Sequence, residues 1–229
     1  MSLRFGVVVP AAGSGARMGG TRKTYLDLSG RPVLLRALDP FLREHRVEAV
    51  VVSLPPDDAE DPPAWLLEAD PRIQVTPGGS SRAHSVYNAL LALPSGLDLV
   101  AVHDGARPLV SQEVVDACFR WAATGVGSIA GYPASDTLKE VGEDLEVLAS
   151  PPRSGFWHAQ TPQVFPADPL MQAYGKARAE EWDETDDAAV FARWGGRVRM
   201  VRASPANLKV THPPDLILAR ALLQEGGQR

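Results

Sequence analysis

Short apolar runs alternate along this chain with stretches whose hydrophobic residues recur at helical spacing. Phe5-Val9, Ala49-Leu54, Ile73-Thr76, Leu99-Val102, Ser128-Gly131 and Val198-Arg202 read as buried strands. Pro32 suits a first helical position ahead of a stripe of Leu34, Leu35, Leu38, Phe41 and Leu42, with Pro40 as the expected bend. Ser81 is placed to cap a helix carrying Val86, Leu90 and Leu93, and Ser111 another carrying Val114, Val115 and Phe119. Thr185-Asp186-Asp187 opens a helix with Ala188, Ala189, Val190, Phe191 and Trp194. Its acids serve the chemistry of a site or merely complement the helix dipole. This alternation predicts an α/β, Rossmann-like domain spanning residues 1–229, with a mostly parallel sheet and helices on both faces.

One stretch breaks the pattern. Asp136-Val141 and Leu145-Leu148, on either side of Gly142-Glu143-Asp144, read as a hairpin within a β-arm at about 133–156. It holds few large apolar residues, and an isolated hairpin is marginal in water. The arm therefore packs against something, either a second subunit in a homodimer or its own domain.

Ligands of such sheets bind at the carboxyl ends of the strands. The first strand runs there into Pro10-Ala11-Ala12-Gly13-Ser14-Gly15-Ala16-Arg17-Met18, with Lys23 just beyond. Small residues let backbone N–H groups approach a phosphate chain, and Arg17 and Lys23 add counter-charge. The dinucleotide fingerprint fails at Met18 and lacks an acid after the second strand, which ends in Pro55-Pro56. The G-x-x-x-x-G-K-[ST] loop fails because Thr21 stands where its lysine should be. A nucleoside triphosphate site fits the segment; a plain glycine turn with two solvated cations is the competing reading.

Further candidates follow other strands. Asp104, in His103-Asp104-Gly105-Ala106-Arg107-Pro108, is either a magnesium ligand or a turn-capping carboxylate. His103 reads as structural, and Arg107 binds a phosphate or pairs with Asp104. Gly79, Ser80, Ser81 and Arg82 precede a helix, where backbone amides favour negative charge or read a base edge, unless the segment is only a turn into a cap. Arg153 and, in Gln160-Thr161-Pro162-Gln163, Thr161 supply a further cation and hydroxyl. Lys209 lies in Asn207-Leu208-Lys209-Val210-Thr211 after the last strand, where a surface lysine is the default.

Composition narrows the partners. A net charge of −5 over 229 residues argues against a general nucleic-acid or membrane binder, so any polyanion site is local. The single cysteine, Cys118, allows no internal disulfide, fits a reducing cytoplasm, and sits among apolar residues as a buried thiol. The first apolar run is too short for a signal peptide, and none is long enough for a membrane span. Lysine occurs only at 23, 139, 176 and 209, so the two in candidate motifs stand out against an arginine background.

Taken in order, Pro10-Met18, Val102-Pro108, Ala159-Gln163, Thr185-Asp187 and Asn207-Thr211 resemble the motifs of the 2-C-methyl-D-erythritol 4-phosphate cytidylyltransferase family, from about Phe5 to Leu223. The resemblance implies transfer of a cytidylyl group from CTP to the polyol phosphate, with release of pyrophosphate. By that likeness Arg17 and Lys23 stabilise the transition state, and Asp104 helps hold Mg2+ on the triphosphate. Pro10, Ala11, Ala12, Gly13, Ser14, Gly15 and Gly79 to Arg82 would bind nucleotide. Arg107, Arg153, Thr161 and Lys209 would bind the sugar phosphate, with Thr137 from a partner's arm. Three departures mark the chain: a loop before Lys23 shorter by one residue, Thr24 for a usual glutamine, and His84 where an aspartate is often found. Alternatives are a cytidylyltransferase for another polyol phosphate such as ribitol 5-phosphate, and a nucleotide-binding module without turnover. A nicotinamide oxidoreductase is disfavoured by Met18 and Pro55.

Overall fold

Alternation along each apolar run sorts its side chains between two cores. In a computed structural model, which describes residues 2–13 and 22–226, Val7 and Val9 enter one core and Val8 the other. Val50 and Val52 separate from Val51 in the same way. Both faces of the sheet are thus apolar, and helices cover both.

The strand β1 (Phe5–Pro10) leads through α1 (Val33–Leu42) to β2 (Val47–Leu54). Two short helices, α2 (Pro56–Glu60) and α3 (Ala64–Leu67), precede β3 (Ile73–Pro77). Then α4 (Arg82–Ala92) leads to β4 (Leu99–Val102), and α5 (Gln112–Ala122) to β5 (Gly127–Pro133). The arm carries β6 (Glu140–Val141) and β7 (Val147–Ala149), and is followed by β8 (Trp157–Pro166), α6 (Ala167–Ala179) and α7 (Asp187–Trp194). The chain continues through β9 (Val198–Arg202) and α8 (Pro213–Gly226). Two of the expected caps form: Ser81 Oγ accepts from the His84 amide and Ser111 Oγ from that of Val114.

The main sheet has the order β3-β2-β1-β4-β8-β5-β9. Its neighbours pair in parallel except around β8, which runs antiparallel to both β4 and β5. The apolar pattern gives no sign of this strand, because its centre is Gln160-Thr161-Pro162-Gln163. Those polar side chains are nonetheless buried, each held by named partners. Gln160 Nε2 donates to the Asn207 carbonyl at 3.1 Å, and Gln163 Oε1 accepts from the Ala188 amide at 2.7 Å. Buried polar groups that are paired in this way leave a strand invisible to hydropathy.

The arm also differs from expectation. Its ladder is shorter, pairing Glu140 with Ala149 and Val141 with Val147. Leu145 takes φ +65° to close the turn, and the Gly142 amide donates to the Glu146 carbonyl, so the return strand begins only at Val147. Leu145 and Leu148 are exposed on it. Among the described residues no helix is long and apolar enough to cross a membrane.

The sheet positions the site through a reversal of winding. From β1 the chain moves outward to β2 and β3, then returns through α4 to β4 on the other side of β1. The carboxyl ends of β1 and β4 therefore flank a crevice, the usual ligand position in such sheets.

Candidate active site

A cleft of about 420 Å³ opens at that crevice. It is lined by Pro10 to Gly13 after β1, Gly79 to Arg82 after β3, and Asp104 and Ala106 after β4, together with Lys23, Thr24, Ser85 and Lys209. Segments distant in sequence, each already singled out for its own chemistry, thus meet in one place. Ser14, Gly15 and Arg17 lie outside the described residues.

Asp104 stands at the centre. Its amide donates to Thr161 Oγ1 at 3.0 Å, and its carboxylate meets Lys209 Nζ at 2.8 Å, Arg82 at 3.4 Å and Arg107 Nε at 3.6 Å. Burial would push this carboxyl upward, but Arg82, Lys209 and Arg107 hold it well below the usual carboxylate range. A single ionised carboxylate facing a cleft suits magnesium that completes its shell with phosphate oxygens and water. One carboxylate in the cleft lining is a donor set that fits an ion carried in by a polyphosphate. Among the described residues no group of three or more His, Cys, Asp or Glu is placed to hold a metal ion. His103 is fully buried beside it, with Nδ1 3.1 Å from Thr161 Oγ1 and Nε2 3.1 Å from the Arg107 carbonyl. Burial lowers its pKa to about 4, so it stays neutral at physiological pH.

Arg82 is fixed from behind. Its two terminal nitrogens bind the Asp187 carboxylate at 3.0 and 2.8 Å, and the Tyr174 hydroxyl donates to the same carboxylate. Burial opposes the Arg82 charge, but Asp187 and then Asp104 raise its pKa beyond titration. The two acids that open α7 therefore part company. Asp186 Oδ1 caps the helix through the Ala189 amide at 2.8 Å, whereas Asp187 is fully buried in the ion pair. Dipole complementation describes the first and misses the second. The signals in the sequence were a second acid where one suffices to cap, and the place of Thr185-Asp187 among the family's motifs.

Lys209 depends on a different staple. Asn207 Nδ2 donates to Gln160 Oε1 at 3.1 Å and to the Thr161 carbonyl at 2.9 Å. Arg107 donates to the Asn207 carbonyl at 2.8 Å, and the Val210 amide to the Ala106 carbonyl at 2.8 Å. The segment after β9 is thereby tied to β8 and to the loop after β4, which brings the Lys209 ammonium to Asp104.

The remaining candidates stand off the cleft lining. Thr161 is buried and its hydroxyl is engaged by the Asp104 amide and His103. Arg107 backs Asp104 from beneath, where burial lowers its pKa and Asp104 opposes the fall. Thr137 is exposed at the base of the arm. Arg153 is exposed and donates to the Ser135 carbonyl. Cys118 is buried, and burial raises its thiol to about 12, in keeping with an unreactive core residue.

The wall between β1 and β3 leaves no room for side chains. A Cβ on Gly78 would come within 2.3 Å of the Ala12 Cβ and 3.2 Å of the Leu54 carbonyl oxygen. The Gly79 amide is used within the loop, donating to Ser85 Oγ at 3.0 Å. Gly78→Ala should therefore displace the Ala11–Gly13 wall and weaken nucleotide binding about tenfold or more, with the far core intact. Calorimetric titration with CTP checks this; unchanged affinity would show that the wall does not touch the nucleotide.

Comparison with known proteins agrees with this geometry. Residues 5–225 match the family model of IspD, 2-C-methyl-D-erythritol 4-phosphate cytidylyltransferase. The chain belongs to this family. The cytidylyltransferase of that name from Symbiobacterium thermophilum is 42% identical over 220 residues, covering 96% of this chain and 92% of the relative. The 4-diphosphocytidyl-2C-methyl-D-erythritol synthase of Anaerococcus prevotii superposes with a TM-score of 0.86 at 28% identity, covering 97% of this chain and 99% of that one. The Thermus thermophilus cytidylyltransferase gives 0.81 at 33% identity, covering 98% and 100%. The chain is accordingly a nucleotidyltransferase of the Rossmann-like type, using CTP and a polyol phosphate.

Proposed function

We propose that the acceptor is 2-C-methyl-D-erythritol 4-phosphate and the product 4-diphosphocytidyl-2-C-methyl-D-erythritol. The family to which the chain belongs supports this acceptor, and the chemistry rests on one observation: Lys23, Arg82 and Lys209 share with Asp104 one cleft at the carboxyl ends of β1 and β4. Two anions must approach each other there, so charge compensation governs the barrier. A phosphate monoester oxygen of the acceptor attacks the α-phosphorus of CTP in line, and pyrophosphate leaves on the opposite side. That oxygen is already nucleophilic near neutral pH, so no general base is needed, and His103, fully buried off the cleft lining with both ring nitrogens engaged, does not serve as one.

In this reading Arg17 and Lys23 face the α-phosphate, with Pro10 to Gly15 and Gly79 to Arg82 holding the nucleotide. Asp104 would hold Mg2+, which when bound neutralises phosphate charge on the triphosphate. Lys209 meets the acceptor phosphate, joined by the exposed Arg153, while Arg107 and Thr161 act from behind by holding Asp104 and its loop. Thr137 comes from the arm of a second subunit in a cytoplasmic homodimer.

Pyrophosphate release from CTP and magnesium, measured side by side with methylerythritol phosphate and ribitol 5-phosphate, tests the acceptor. Release with the first alone is expected. Release with ribitol 5-phosphate alone would keep the chemistry and overturn the acceptor.

A further inference from the structure

Lys23 enters the cleft from a short turn whose two flanks are tethered to one carboxylate outside it. The Tyr25 amide donates to the Arg22 carbonyl at 2.9 Å, closing the turn around Lys23 and Thr24. The Thr24 carbonyl accepts from the Leu34 amide at 2.8 Å, which joins the turn to the start of α1. On the outer side, Tyr25 Oη donates to Asp58 Oδ2 at 2.6 Å, and Arg22 pairs with the same oxygen. The Tyr25 ring sits edge-on to Trp65, centroids 5.4 Å apart at 82°. Asp58 belongs to α2 and Trp65 to α3, the two short helices between β2 and β3.

Asp58 is absent from the cleft lining. Its carboxylate nonetheless binds the residue before Lys23 and a residue two beyond it. Asp57, its neighbour, and Glu60 are exposed and supply the surface charge of α2; Asp58 is the acid turned inward onto the turn. A cationic side chain stabilises a transition state only if its turn is held to within a fraction of an ångström, and displacement by about 1 Å can cost on the order of 100-fold in rate.

We propose that Asp58 is a positioning residue for Lys23, acting through Tyr25 and Arg22 to hold the turn that presents the ammonium to the phosphates. This rests on the reading of Lys23 as a phosphate-facing cation. It adds a part of the enzyme, α2, that touches neither substrate.

The test is a double-mutant cycle on pyrophosphate release from CTP and methylerythritol phosphate, with melting temperatures recorded in parallel. Asp58→Ala should lower kcat about tenfold or more and leave the KM for CTP within about twofold. In a Lys23→Ala background the same change should alter kcat by less than about twofold, because the group it positions is gone. Tyr25→Phe keeps the ring on Trp65 and removes one tether, and should lower kcat about threefold in the parent and not in the Lys23→Ala background. This milder variant decides the matter if Asp58→Ala does not fold. Equal losses in both backgrounds would mean a general structural role and overturn the proposal. So would full activity of both variants in a protein that Lys23→Ala disables, and that result would leave the Lys23 reading standing. Full activity of Lys23→Ala itself would overturn both.

Discussion

Lys23→Ala should lower pyrophosphate release by about two to three powers of ten, a far larger effect than any on folding stability. The turn that carries Lys23 is closed by main-chain bonds, Tyr25 to Arg22 and Leu34 to Thr24, which an alanine preserves. The loss therefore falls on chemistry. A unit-charge pair at contact is worth ~4 kcal/mol at an effective dielectric near twenty. Removing one donor from a developing oxyanion costs about 2.7–4 kcal/mol in a well-studied hydrolase, the same range. Arg82 and Lys209 remain in the cleft, so the residual rate should stay well above background. Steady-state kinetics beside thermal unfolding separates the two effects. A folded Lys23→Ala enzyme with parental turnover would remove Lys23 from the mechanism.

The second large effect is on stability. Asp187→Ala deletes a fully buried carboxylate that takes two bonds from Arg82 and one from Tyr174. Arg82 would keep only its longer contact with Asp104, at 3.4 Å. Breaking a buried pair by removing one partner typically costs about 3–5 kcal/mol. At roughly 2–4 °C per kcal/mol for a chain of this length, the melting temperature should fall by ~6–20 °C. Asp186→Ala provides the control. It removes the cap on Ala189 and the contact with Gln163 Nε2, and should cost about 1 kcal/mol. Equal destabilisation by the two variants would mean that the buried ion pair does not hold α7 against α4.

These two residues also mark what hydropathy and motifs reveal. The parallel strands, the α4 and α5 caps and the loops after β1 and β4 were legible because each has a local physical signature: an apolar run, a hydroxyl before a stripe, a cluster of small residues. Lys23, Arg82, Asp104 and Lys209 could be picked out singly for the same reason. Their convergence needed β8. That strand is written in glutamine and threonine, and its burial makes sense only once Asn207, Ala188 and Asp104 are seen as partners. Asp187 was hidden similarly, because a carboxylate in a first helical turn has a sufficient local explanation. Residues whose role is to hold other residues leave little trace in periodicity.

The antiparallel course of β8 has a consequence for how this enzyme can vary. Pro133 at the end of β5 lies opposite Trp157 at the start of β8, and the Ala134 amide donates to the Phe156 carbonyl at 2.9 Å. The arm thus departs and returns through one hydrogen-bonded doorway on the rim that carries the cleft. Segments anchored so closely at both ends can lengthen, shorten or be exchanged at small entropic cost, since closure depends only logarithmically on length. Here the sheet beneath would keep its register throughout. The fold therefore separates a fixed sheet and its cleft from an interchangeable rim, and on the proposed reading, in which the arm meets the acceptor, acceptor choice can drift without disturbing that frame.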